Sequence, residues 1–233
     1  MHYFALLLTA ERARSSDPDE QAAEMAAYQS FHAKAADAIR AGDALLPTAV
    51  GARITGGPDA PTVTDGPFAE SAEVANGYYV FEADDLDQAL ALARDIPAAK
   101  YGAVEVWPMV HWGAPGAPVS DDWMALLLEP PEKACPPGTA EWETGLRAHA
   151  EFGKAASEHI LGGAPLQLPS TATTVRVRDG EVVLTDGPFA EGAEVANGFY
   201  LLRAENRDEA VKLASMIPAT TVELRRLAGV SGL

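Results

Sequence analysis

The chain has 233 residues, of which 48% are hydrophobic and 22% charged, with a mean hydropathy of −0.04, the composition of a soluble globular protein with ample core. Its 34 acidic and 17 basic residues give a formal charge of −17, which repels phosphate backbones and anionic membranes and argues against nucleic acid or lipid as partners. In chain order, Tyr3 to Leu8 is a short apolar run suited to a buried strand, too short for a secretion signal and without basic residues before it. Glu20 to Ala41 carries Met25, Tyr28, Phe31, Ala35 and Ile39 at helical spacing, which predicts the first helix. Gly56-Gly57-Pro58-Asp59 marks an irregular turn, Gly77 to Glu82 an aromatic central strand, Asp85 to Asp95 a helix ending before Ile96-Pro97, and Val104 to Trp107 a closing strand. Further on, Thr174 to Val177 and Glu181 to Thr185 flank Arg178-Asp179-Gly180 as a hairpin; Gly198 to Arg203, Arg207 to Met216 and Val222 to Arg225 then repeat strand, helix and strand.

That second series is a copy of the first. Thr64 to Tyr79 recurs as Thr185 to Tyr200, and of 16 aligned positions only Ser71/Gly192 and Tyr78/Phe199 differ. The offset of 121 also aligns Phe31 with Phe152, Ile39 with Ile160, Leu45 with Leu166 and Ile96-Pro97 with Ile217-Pro218. The starts correspond too, Phe4-Ala5-Leu6-Leu7-Leu8 against Met124-Ala125-Leu126-Leu127-Leu128. The Gly/Pro-rich stretch from His111 to Pro118 reads as a connector, so the division expected is a first repeat at 1–112, a linker at 113–120 and a second repeat at 121–233. The order of elements predicts an α+β fold, two ferredoxin-like βαββαβ repeats each with an added hairpin. Both faces of the central strands are apolar, Tyr79 and Phe81 on one side, Tyr78 and Val80 on the other, so the face without helices is expected to pack against its counterpart in the other repeat. One chain then stands in for a homodimer, with further self-association left open.

Asp65-Gly66-Pro67-Phe68 and Asp186-Gly187-Pro188-Phe189, the Asn-Gly-aromatic-Tyr strand downstream, the acidic helix start and the Ile-Pro ending resemble the DGPF branch of the YCII-related family, over nearly the whole chain, twice. The resemblance implies a dimeric α/β barrel, made here within one chain. It also implies two function classes: cofactor-independent isomerisation of lactone-like compounds, and association with extracytoplasmic-function sigma factors. YCII-related proteins have been proposed to use a His and Asp pair, the His lying in the first helix. By alignment that position is Tyr28 in the first repeat and His149 in the second, with His32 one turn beyond Tyr28 on the same face. The two halves are therefore not equivalent, and a His-dependent reaction belongs to the second.

His149 is the candidate general base, since imidazole titrates near neutrality and isomerisation moves a proton between neighbouring atoms. Asp186 or Asp65 is its candidate partner, although an Asp-Gly-Pro turn also has a purely structural explanation in the Asp side chain capping its own backbone. Tyr28, His32, Phe68 and Phe189 are candidate substrate contacts. On the closing strands Val104 and Val106 alternate with Glu105 and Trp107, and Val222 and Leu224 with Glu223 and Arg225; with the aliphatic face toward the helices, the polar face points inward. Glu105, Trp107, Glu223 and Arg225 are then either structural pairs or the wall of a cavity in which Arg binds a carboxylate and Trp stacks on an unsaturated ring. Glu70, Glu73, Glu191 and Glu194 read as a solvated polar loop from which one member can reach a ligand.

No phosphate loop, dinucleotide fingerprint, nucleophile elbow or calcium loop is present, so no cofactor is indicated, and the five histidines lack ligand spacing for a metal. The single cysteine, Cys135, sits among prolines and can form no intrachain disulfide, which suggests a reducing, cytoplasmic setting. The functional expectation is a cofactor-free isomerase, cyclase or lyase acting on a carbonyl-bearing or unsaturated small molecule. The alternatives are a ligand-binding or sigma-factor-associated regulatory module and, third, a cofactor-free oxygenase.

Overall fold

The computed structural model describes residues 1–11, 17–66, 73–117, 119–188 and 194–230. The first half contributes β1 (His2–Thr9), α1 (Pro18–Ala35), β2 (Ile39–Ala44), β3 (Ala52–Thr55), β4 (Thr62–Asp65), β5 (Val74–Glu82), α2 (Leu86–Ala93) and β6 (Ala103–Pro108). The second contributes β7 (Trp123–Glu129), α3 (Ala140–Ala155), β8 (Ile160–Pro165), β9 (Thr173–Arg178), β10 (Glu181–Asp186), β11 (Val195–Leu202), α4 (Arg207–Ala214) and β12 (Thr221–Arg226). Each helix begins where a polar side chain accepts a bond from a backbone N–H of its first turn: Asp17 from Asp19 at 2.9 Å, Asp85 from Gln88 at 2.9 Å, Thr139 from Trp142 at 3.3 Å and Asn206 from Glu209 at 3.0 Å. The first helix is shorter than its periodicity suggests. Ile39 to Ala41 belong to β2, and Met25 is exposed, because the stripe actually buried is only Phe31 and Ala35.

All pairing between these strands is antiparallel and builds two six-stranded sheets, in the orders β10-β9-β6-β1-β5-β2 and β4-β3-β12-β7-β11-β8. The two halves exchange their hairpins. The β3–β4 hairpin of the first half extends the second half's sheet through β12, and β9–β10 extends the first half's sheet through β6. Ion pairs tie each hairpin to the half it joins: Arg176 grips Glu73 at 2.8 and 3.1 Å, and Arg53 pairs with Glu194, so these two glutamates are held rather than solvated. Glu70 and Glu191 lie outside the described residues.

Helices α1 and α2 cover the outer face of the first sheet, where Phe31, Ala35, Ala89 and Ala93 pack on Tyr79, Phe81, Val104 and Val106. Helices α3 and α4 cover the second, with Phe152, Ala210 and Ala214 on Leu127, Val222 and Leu224. The inner faces meet in a third apolar layer of Phe4, Leu6, Tyr78, Trp107, Met124, Phe199 and Leu201, in which Phe4 and Phe199 stack at 4.5 Å. The expected sheet-on-sheet packing is thus present, but a closed barrel is not. The sheets touch at two margins through the single bridges Leu45–Leu227 and Met109–Leu166, and the ladders stop there. Among the described residues, no helix is long and apolar enough to cross a membrane.

Candidate functional site

Two tyrosines at equivalent positions of the repeat organise the site. Tyr79 on β5 and Tyr200 on β11 point to the helical faces of their sheets, and each faces a glycine across the strand pair, Gly42 and Gly163. The glycines leave room for the rings: a Cβ at Gly42 would stand 2.5 Å from the Tyr79 ring, and one at Gly163 would stand 2.4 Å from the Phe199 carbonyl and 3.2 Å from the Tyr200 ring. From the helix above, Phe31 meets Tyr79 edge-on at 5.2 Å and Phe152 meets Tyr200 at 5.1 Å.

Each tyrosine hydroxyl then reaches a histidine, though from different turns of the two helices. His149 Nδ1 lies 3.0 Å from Tyr200 Oη, and His32 Nε2 lies 2.7 Å from Tyr79 Oη. The repeat offset places Tyr28 where the second half has His149, and Gly153 where the first has His32. Tyr28 turns instead to Tyr101, whose hydroxyl lies 3.2 Å away and donates to Glu24 Oε1 at 3.1 Å. Burial lowers both imidazoles from their ordinary value, and it pushes the Tyr200 phenol up to about 12 and the Tyr79 phenol higher still. At neutral pH both couples are therefore uncharged, with the proton between them set by the histidine tautomer. Tyr79 is 5% exposed, whereas Tyr200 and His149 both keep partial contact with solvent. His32 is likewise partly exposed, so the second couple is distinguished only by having both of its members in contact with solvent.

The carboxylates expected beside His149 lie elsewhere. Asp65 ends β4, on the exchanged hairpin, and pairs with Arg207 at the start of α4. Four strand spacings separate β4 from β11, roughly 19 Å of sheet. Asp186 ends β10 at the far edge of the other sheet, and both carboxylates are exposed. Phe68 and Phe189 lie outside the described residues. Glu105, Trp107, Glu223 and Arg225 do face the space between the sheets, and each has an internal partner: Trp107 Nε1 donates to Glu105 at 3.1 Å, and Arg225 donates to Glu223 at 2.9 Å and to the Leu46 carbonyl at 2.8 Å. The two tyrosines were the partners that residue-type reasoning passed over. Their signal was their identity in both copies of the 16-residue run.

The glycine beneath Tyr200 offers a direct check. Gly163→Ala is expected to cost about 1–3 kcal/mol, since the added methyl overlaps a backbone carbonyl, and to move the Tyr200 ring off His149. Thermal unfolding reads the first effect and the His149 imidazole resonances the second; an unchanged resonance would mean that the glycine does not position the ring.

In comparison with known proteins, the model of the YCII-related domain matches residues 1–113 and again 126–227. An uncharacterised protein of Rhizobium meliloti (strain 1021) is 41% identical over 69 residues, 29% of this chain and 51% of that protein. The chain thus spans about half the length of this curated relative.

Proposed function

The chain belongs to the YCII-related family, and from that premise we propose that it is a cofactor-independent enzyme of isomerase, cyclase or lyase type, acting on a small carbonyl-bearing or unsaturated molecule. What supports the reading is the 3.0 Å contact between His149 Nδ1 and Tyr200 Oη, two neutral groups at a partly exposed position. In the tautomer with the proton on Nδ1, the imidazole donates to Tyr200 Oη and leaves Nε2 with its lone pair. That nitrogen removes a proton next to a carbonyl. The Tyr200 O–H, its oxygen polarised by the imidazole N–H, is then directed at the carbonyl oxygen, where charge develops. Return of the proton from Nε2 to a neighbouring atom completes an isomerisation, and loss of a leaving group in its place completes an elimination. Tyr200 takes the part first considered for Asp65 or Asp186.

Proton exchange tests this without knowledge of the final product. The protein is incubated in D₂O with a panel of 2-oxo acids, β-keto acids and unsaturated lactones while the protons next to the carbonyl are followed by NMR. Protein-dependent loss of one such signal, absent with His149→Ala, is the expected result. No exchange across the panel, or exchange that persists in the variant, overturns the reading.

A further inference from the structure

Of the two differences within the 16-residue repeat, Tyr78 against Phe199 falls between the sheets, on the faces turned away from His32 and His149. Strand register extends the contrast to its neighbours. Across the first sheet the inward row reads Asp43, Tyr78, Leu6, Glu105; the matching row of the second reads Ala164, Phe199, Leu126, Glu223. Two adjoining polar side chains in the first half thus replace an alanine and a phenylalanine in the second.

Asp43 is accounted for, since its carboxylate accepts from the N–H groups of Ala44 at 2.8 Å, Gly229 at 3.0 Å and Val230 at 3.1 Å. Tyr78 is not. It is 2% exposed, wedged against the rings of Phe4 and Phe199, and its hydroxyl has no hydrogen-bond partner among the described residues, yet the oxygen is not fully shut off from accessible space. Burial and the nearby carboxylates of Asp43 and Asp122 push its pKa up, so the group is a standing O–H donor. It lines a half-open cleft of about 330 Å³ between the β2 edge and the connector, walled by Gly42, Pro115, Ala117 and Val119, with Arg40 also in its lining.

At the equivalent place in the second half, the connector fills the space. Gly113 and Gly163 exchange backbone hydrogen bonds of 3.0 Å, a Cβ at Gly162 would stand 2.6 Å from the Gly113 carbonyl, and Trp112 packs 5.8 Å from Phe199. The connector thus seals one pseudo-equivalent site while leaving space beside the other.

We propose that this cleft binds a small, largely apolar molecule whose carbonyl oxygen accepts a hydrogen bond from Tyr78. The volume lies at the lower end of the range for ligand pockets and suits a single-ring compound, not a dinucleotide. The small apolar side chains of the wall take the ring. Arg40 has its Nε engaged by Glu82 at 2.7 Å and its Nη1 by the backbone carbonyls of Asp37 at 2.8 Å and Ile39 at 3.2 Å; its Nη2 has no hydrogen bond among the described residues and is the group assigned to a carboxylate on the ligand's far end. The site is separate from the His149–Tyr200 couple, which lies on the helical face of the other sheet.

The test uses three probes on the full chain: acetophenone, toluene, which lacks the acceptor, and 4-acetylbenzoate, which adds the anion. Binding is followed at the backbone amides of Gly42 and Ala117 by NMR titration. Acetophenone is expected to bind the wild type more tightly than toluene does. Tyr78→Phe, which installs the residue already present at 199, should weaken acetophenone five- to tenfold, the worth of one hydrogen bond, and leave toluene unchanged. Ala117→Trp should abolish both by filling the space, 4-acetylbenzoate should exceed acetophenone only while Arg40 is present, and His149→Ala should alter none of these. Equal acetophenone affinity in wild type and Tyr78→Phe, or binding that survives Ala117→Trp, would overturn the proposal.

Discussion

Substitution of His149 by alanine is expected to slow proton exchange on the responsive substrate by about 10²–10⁴-fold, the usual contribution of a positioned general base. Tyr200→Phe removes the carbonyl donor while keeping the ring, so it should lower the rate with little change in substrate affinity. The pH profile carries the mechanism. Because burial lowers His149 below its ordinary value of 6.5, the rate should rise with pH along a limb that ends below 6.5, and then stay level until the Tyr200 proton is lost near about 12. The same shift has a consequence for stability. Between the lowered folded value and 6.5 the unfolded chain binds more protons at this site than the folded one, so stability is lost as pH falls through that window and is fully present above it. His149→Gln should make that part of a plot of unfolding temperature against pH shallower, with His32 carrying the remaining slope, even before a substrate is known. A rate limb retained in His149→Ala, or an acid loss of stability equal in wild type and His149→Gln, would remove His149 from the role assigned to it.

Trp107→Ala should be the most damaging change to the fold. The side chain is fully buried between the sheets and donates to Glu105, so its truncation leaves a large void in the layer that joins the two halves. A loss of about 3–5 kcal/mol is expected, a large share of the roughly 5–15 kcal/mol that stabilises an ordinary domain. For a chain of this size that corresponds to an unfolding temperature lower by about 6–20 °C. Calorimetry of the variant beside Trp107→Phe separates volume from hydrogen bonding, since Phe restores most of the packing without the N–H. A loss below about 1 kcal/mol for the alanine variant would show that the layer between the sheets is not closely packed.

The inward direction of Trp107 was legible beforehand, and so was much else that depends on near neighbours. Alternation along β6 and β12 sends Val104, Val106, Val222 and Leu224 to the helices and Glu105, Trp107, Glu223 and Arg225 to the interior, because successive strand side chains point to opposite faces whatever the strand pairs with. The same holds for the α2 and α4 endings before Ile-Pro and for the β9–β10 hairpin around Asp179-Gly180. The Gly/Ala-rich strands β2 and β8 were harder to place. Their glycines make sense only once Tyr79 and Tyr200 lie across them.

The duplication, most of the element types and the face each strand side chain presents were readable from the chain alone, as consequences of local sterics and hydrophobic period. Only the packed molecule settles which copy each hairpin completes, and that the outer strands β4 and β10 lie at the sheet edges, which puts Asp65 and Asp186 far from the histidine they were expected to assist. The edges β6 and β12 share their alternation of aliphatic residues toward the helices with larger polar or aromatic ones inward, so the alternating pattern of a hairpin does not by itself choose between its own half and the other. The choice rests on contacts between residues a hundred or more positions apart, Arg176 with Glu73 and Arg53 with Glu194, and on the chain path that brings them together.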